Sequence, residues 1–345
     1  MKGNFFLGNG KFEVREMAFG QPGPHEVFVK NRACGVCGTD VHIYHGEKGS
    51  AEVAPPVVLG HEFSGEVVAI GSEVTAVKVG DCVTVDPNMY CGKCYHCRKG
   101  QKQFCDNMIA VGVNFNGGFA EYCMVPETQV FPMKPEVGFE AMAMAEPLAC
   151  CIHGIEQVKI QSGDLVVVVG GGAIGLLMVQ LARLRGAGTV ILSEPVAARR
   201  EIGLSVGADY AIDPLAEHPL EQVQKITGRK GADVIIECVG KVFATKQAFE
   251  LADRGARILL FSVPAPDAKF DMPLIDVFNK ELKIYGSFVN PDSHQEAVDL
   301  INAGRIKTAP LITHRYPIER LEEAIHMQMS AESIKVLVGA TAAAE

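Results

Sequence analysis

Over the first 147 residues, apolar positions come in short β-branched runs: EVFVK at 26–30, GEVVAIG at 65–71, DCVTVDP at 81–87 and AEYCMVP at 120–126. Gly, Pro and Asn cut each run off, which predicts an irregular β-rich domain over residues 1–150. From about His153 the texture changes. DLVVVVGGG at 164–172 is followed by the helical pattern IGLLMVQLARLRG, then TVILSE, then AARREIGLSVGAD, and later ADVIIECVG and ARILLFSV. Continuous apolar strands alternating with helices predict a parallel sheet covered on both faces, over residues 151–288. Residues 289–345 carry two helical stretches, SHQEAVDLINAGRI and IERLEEAIHMQMSA, and the apolar run KVLVGA, and are expected to return to the first domain. No repeat has a 20–50-residue period, and the only biased segment is a short Ala-rich run at 340–344.

Composition narrows the function. With 345 residues and 48% apolar content the chain can bury a large core, and two domains fit its length. A net charge of −9 argues against a broad basic footprint for nucleic acid or an anionic membrane. The first twenty residues hold no apolar run long enough for a signal peptide, and no stretch suits a membrane span. A cytoplasmic enzyme acting on a small molecule is therefore expected, and in a reducing cytoplasm the eleven cysteines point to metal ligation before disulfides.

Three constellations carry chemistry. Gly170, Gly172 and Gly175 form GxGxxG between a four-valine strand and a helix. That context allows a tight turn, close approach of a pyrophosphate, and phosphate contact with free helix N–H groups. Glu194, at the end of the next strand, can accept from ribose hydroxyls and would repel a 2′-phosphate, favouring NAD over NADP. Arg199 and Arg200 nearby pull the other way. CGKCYHCRKGQKQFC places Cys91, Cys94, Cys97 and Cys105 within fifteen residues, enough for a closed tetrahedral zinc shell with no position for substrate. CGVCGTDVHIYHG and GHEF add Cys34, Cys37, Thr39, Asp40, His42, His45, His61 and Glu62. Their mixed S, N and O donors suit a catalytic zinc, although Cys34 and Cys37 also read as a CxxC redox pair, and His61 and Cys37 as buried core residues.

Taken in order, CGVCGTDVH, GHEFSGEVVAIG, GDCVTV, the cysteine cluster, GGFAEY, EPL and VGGGAIG resemble the zinc-dependent medium-chain dehydrogenases over essentially the whole chain. GHE and the Glu of AEPLACCIHG resemble the sorbitol and polyol dehydrogenase branch. The resemblance implies an α/β fold: a GroES-like catalytic domain with both zinc sites, a doubly wound Rossmann coenzyme domain, and a homotetramer or dimer. It implies hydride transfer from a secondary alcohol to NAD, with two zinc ions per chain. Cys37, His61 and Glu62 resemble the catalytic zinc ligands, with Glu146 near the fourth position. One thiolate and one carboxylate already neutralise Zn²⁺, so Glu146 is expected to act mainly through water or by exchange. Asp40 resembles the carboxylate that fixes the His61 tautomer, and Thr39 and His42 the proton relay. Ile174, Glu194, Arg199, Val263 and Phe288 would line the coenzyme, although Ile174, Val263 and Phe288 also read as core.

Three positions depart from that branch. Where sorbitol dehydrogenases carry an Arg–Tyr pair that meets the polyol, this chain has Val289 and Asn290, and Ile43 stands where Tyr is common. A polyol or diol remains the expected substrate, with an amino-alcohol such as threonine or a bulkier apolar alcohol as alternatives. The rivals outside this activity are a zinc-free quinone or enoyl reductase and a non-catalytic zinc-ribbon protein.

Overall fold

A computed structural model of the chain describes residues 1–47 and 53–339; the Ala-rich run at 340–344 lies outside them. Two compact units form, Met1–Ala149 with Asn290–Glu345, and Cys150–Val289.

The first unit is built on a seven-stranded sheet. Its central strand Glu26–Gly35 pairs antiparallel with Glu62–Ile70, with Tyr122–Pro126 and with the last strand, Lys335–Gly339. Alternating burial along Glu26–Ala33 is what a sheet with one covered face requires. The core joins Val27, Val29, Phe63, Val67, Val83 and Phe119 to Leu321, Ile325, Val336 and Val338. The return segment therefore completes this core from far along the chain. Two helices that the apolar pattern does not announce matter for the site. Gly38–Tyr44 follows the central strand directly, and Ala145–Val158 carries Pro147 in its first turn, where no intrahelical N–H is required.

The second unit is a six-stranded parallel sheet. Its spatial order is Tyr210–Ile212, Thr189–Ser193, Leu165–Val169, Ala232–Glu237, Ala252–Leu260, Lys283–Gly286. Numbered along the unit this is 3-2-1-4-5-6, the doubly wound Rossmann order with its switch point beside the first strand. Every residue of Leu165–Val169 is buried, which explains its unbroken apolar run.

Candidate active site and metal centres

Strand register, not sequence proximity, assembles the mixed-donor site. Gly35 lies opposite Glu62 on one side and Leu337 on the other, so three strands meet there. Cys37 follows two residues later as the cap of helix Gly38–Tyr44, and His61 immediately precedes Glu62. One donor atom each from Cys37, His61 and Glu62 lies within 4.8 Å of the others. His61 and Glu62 are buried. The Cys37 N–H donates to Asp40 Oδ2 at 2.9 Å, while Asp40 Oδ1 faces His61 Nδ1 at 3.8 Å. Neither of these last two atoms has a hydrogen-bond partner among the described residues. One sulfur, one imidazole nitrogen and one carboxylate oxygen within reach of a single point fit a zinc ion held by Cys37, His61 and Glu62.

Burial lifts Asp40 to about 6, against the pull of His61 and the Cys37 N–H. Burial alone would lower His61, yet the charges of Cys37 and Asp40 carry it well above its ordinary value. Glu146 is buried at the start of its helix and lies outside the 4.8 Å set, near enough for its charge to raise His61. Thr39 is half-buried on the helix that carries Asp40. His42, one turn further on, has its Nδ1 2.5 Å from the carboxylate of Glu47, a contact its motif does not announce.

Lys335 is the site residue that sequence reading missed. Buried on the last strand, it forms an ion pair with Glu62 Oε2 and donates to the Val36 carbonyl at 3.1 Å. Burial would lower its pKa, but Glu62 and then Cys37 hold it above the ordinary value. Gly35 leaves the space for this pair: a Cβ there would overlap Glu62 Oε2 and sit 2.8 Å from Lys335 Cε. A buried lysine in an apolar run was the available signal, since such a residue requires a partner.

The four clustered cysteines also come together, with all four sulfurs within 4.8 Å. Backbone N–H groups of Cys91, Cys94 and Cys97 donate to Cys105, Cys91 and Cys94 sulfurs at 3.3, 3.4 and 3.5 Å. A ring of N–H groups aimed at sulfur favours thiolates, and four thiolates close a zinc shell. Hydrogen bonds from Lys93 and Cys94 lower Cys91 to about 6, and burial lifts Cys97 to about 12. His96 faces Gln101 and the ring of Phe104 and lies outside the sulfur set.

Two of the three residues that depart from the polyol branch turn inward. Asn290 is fully buried, accepting from Asn88 Nδ2 at 2.6 Å and donating to Asp86 Oδ1 at 3.2 Å. Ile43 is a member of the first unit's core. Neither side chain is free to meet a substrate, whereas Val289, which stands where that branch has Arg, is half-buried, so the missing guanidinium is the departure that bears on substrate polarity.

In the second unit, the glycine loop is braced by the acidic residue. Gly170 has φ +99° and its N–H donates to the Ser193 carbonyl. Glu194, buried, accepts from the Gly171 N–H at 2.6 Å and the Val196 N–H at 2.9 Å. Gly172 caps helix Ala173–Leu184, and a Cβ on Gly175 would overlap the Gly170 carbonyl oxygen and sit 2.9 Å from its carbon. Ile174 and Arg199 are half-buried. Arg200 donates to the Glu194 and Pro195 carbonyls and pairs with Asp213. Val263 is 59% and Phe288 37% exposed, which removes the core reading for both.

Comparison with known proteins matches residues 23–135 to the alcohol dehydrogenase GroES-like domain and residues 173–303 to the zinc-binding dehydrogenase domain. The chain is 38% identical to the sorbitol dehydrogenase of Halalkalibacterium halodurans over 96% of both chains. It is 36% identical to the L-threonine 3-dehydrogenase of Pyrococcus horikoshii over 94% of both. A crystal structure of a zinc-binding dehydrogenase from Sinorhizobium meliloti, bound to NADP, superposes with a TM-score of 0.93 at 40% identity, covering 98% of each chain.

Proposed function

The chain belongs to the zinc-dependent medium-chain dehydrogenases, on their sorbitol dehydrogenase-like side, and from that membership we propose that it oxidises a polyol or diol at a secondary hydroxyl, reducing NAD. The observation that carries this reading is the convergence of Cys37, His61 and Glu62 on one point. When bound there, zinc supplies Lewis acidity that lowers the pKa of an alcohol. Cys37, His61 and Glu62 hold the metal, Glu146 stands near the fourth position, and Asp40 steadies the His61 ring. Thr39 and His42, three residues apart on one helix face, receive the hydroxyl proton, and Glu47 orients the His42 ring from Nδ1. Cys91, Cys94, Cys97 and Cys105 hold a second, structural zinc.

For the coenzyme, the loop N–H groups at Gly170–Gly175 receive the pyrophosphate, with Ile174, Arg199, Val263 and Phe288 beside it. A carboxylate at Glu194 disfavours a 2′-phosphate, which supports NAD even though the Sinorhizobium relative was solved with NADP. Leu274, Ile275 and Phe278 are 73%, 65% and 77% exposed on the short helix Leu274–Lys280, an apolar face that supports a homo-oligomer, dimer or tetramer. Four cysteines gathered as a metal-binding cluster support a cytoplasmic setting, and no helix among the described residues is long and apolar enough to cross a membrane.

The test is a panel of polyols, diols and amino-alcohols scored by NADH and NADPH formation, alongside metal analysis. Two zinc ions per chain and turnover of polyols or diols are expected. A preference for amino-alcohols would move the substrate to the second reading, which the threonine dehydrogenase relative favours. One zinc per chain with no alcohol-dependent reduction of NAD would overturn the function. Glu62→Gln and Cys37→Ala should each lose turnover while still binding NADH.

A further inference from the structure

The ion pair between Lys335 and Glu62 has a consequence for the metal, and it rests on the zinc reading above. A carboxylate that binds zinc and also faces an ammonium must divide its negative charge between two cations. Here that division is built into the backbone. Lys335 lies on the last strand with its Nζ held by two acceptors, Glu62 Oε2 and the Val36 carbonyl at 3.1 Å. Its side chain is 4% exposed and that of Glu62 is 2% exposed, so water cannot take over either role. Gly35, between them in the register, supplies the gap in which the two side chains meet.

We propose that Lys335 is a positioning residue that competes with zinc for the Glu62 carboxylate, making Glu62 a weak, displaceable ligand where Cys37 and His61 are firm ones. Removing the ammonium leaves a buried carboxylate whose one remaining cation is the metal. Glu62 then closes on zinc, and the position an alcohol must enter is harder to vacate. Retaining the ammonium keeps one ligand exchangeable in a site that is otherwise buried. An ordinary structural lysine would act differently, because its loss would loosen the strand end and release metal faster.

The test measures zinc release to a chelator from the holoenzyme, with the cysteine-cluster zinc as internal control, and the visible spectrum of the cobalt-substituted active centre. In Lys335→Met, release from the active centre should slow by about tenfold, the scale on which groups behind metal ligands act. The cobalt bands should weaken as the carboxylate raises the coordination number, and KM for alcohol should rise. In a Glu62→Gln background the same replacement should leave release unchanged, because the competition has lost its object. Lys335→Arg keeps a cation and should release zinc at close to the wild-type rate. If Lys335→Met loses the control zinc and its thermal transition, Lys335→Gln takes its place with the same expectation. Equal or faster release in a folded Lys335 variant, or an undiminished effect in the Glu62→Gln background, overturns the proposal. A wild-type protein holding only the cysteine-cluster zinc would instead overturn the functional reading beneath it.

Discussion

Replacing His294 with Phe should remove a step in acid stability whose size follows from the surroundings of one ring. His294 opens helix His294–Asn302, is 1% exposed, and packs 4.8 Å from the ring of Phe131. Neither ring nitrogen has a hydrogen-bond partner among the described residues. Burial alone pushes its pKa down to about 3. The folded protein therefore keeps the ring neutral, while the unfolded chain takes up a proton near pH 6.5. Because the folded pKa is depressed, stability is complete above the unfolded value and is lost as pH falls towards 3. Between pH 6.5 and 5 the loss is 1.5 units at about 1.36 kcal/mol each, or about 2 kcal/mol. Phe keeps the packing against Phe131 and takes up no proton. Urea midpoints of both proteins at pH 7.5 and 5.0 give the comparison, since every other titrating group is shared and cancels in the difference. The advantage of His294→Phe should grow by about 2 kcal/mol on going to pH 5. A gap that does not change with pH would refute the assignment of a neutral, unpartnered ring.

Three further outcomes are expected. Gly175→Ala overpacks the glycine loop by about 1–3 kcal/mol, enough to weaken NADH binding by about tenfold or more while zinc content stays normal; unchanged affinity in a fluorescence titration would sink the loop assignment. Cys97→Ser should lose one zinc per chain and lower the melting temperature before it alters the chemical step, so normal metal content and stability would remove the structural role. Gly35→Ala forces the Glu62–Lys335 pair apart, and kcat should fall by about 10–100-fold; full turnover at normal zinc content would show that the pair does not matter.

The parts of this molecule legible in the sequence are those written locally. Gly170, Gly172 and Gly175 carry their meaning in spacing, because a turn and a helix start occupy consecutive residues. The cysteine cluster is legible for the same reason: a three-residue pitch already puts sulfurs in reach of one ion. Cys37 and His61 were harder, since only the register of Gly35 against Glu62 shows that they meet. Lys335 showed only as a lysine in an apolar run; its partner was not legible, because a strand almost at the other end of the chain joins it to that register. Asn290 and Ile43 illustrate the opposite error. Placed by family position they read as substrate contacts, whereas packing turns both into the first unit. Glu194 combines the two cases: its place was readable, but its hold on the Gly171 and Val196 N–H groups depends on a loop geometry that spacing leaves open.

The 299 positions separating Val36 from Lys335 also set a timetable. At roughly 5–20 residues per second, a ribosome needs about 15–60 s to travel between them. During that interval Cys37, His61 and Glu62 already exist on the nascent chain, and the whole coenzyme-binding unit is made before the last strand is added. On the proposal made for Lys335, an ion captured early would meet Glu62 with no ammonium beside it and would be gripped by all three donors. Only when the final strand pairs with Gly35 does the carboxylate acquire its second claimant. Metal would thus be taken up by a tighter centre than the one that later does chemistry, and the end of translation would mark the change.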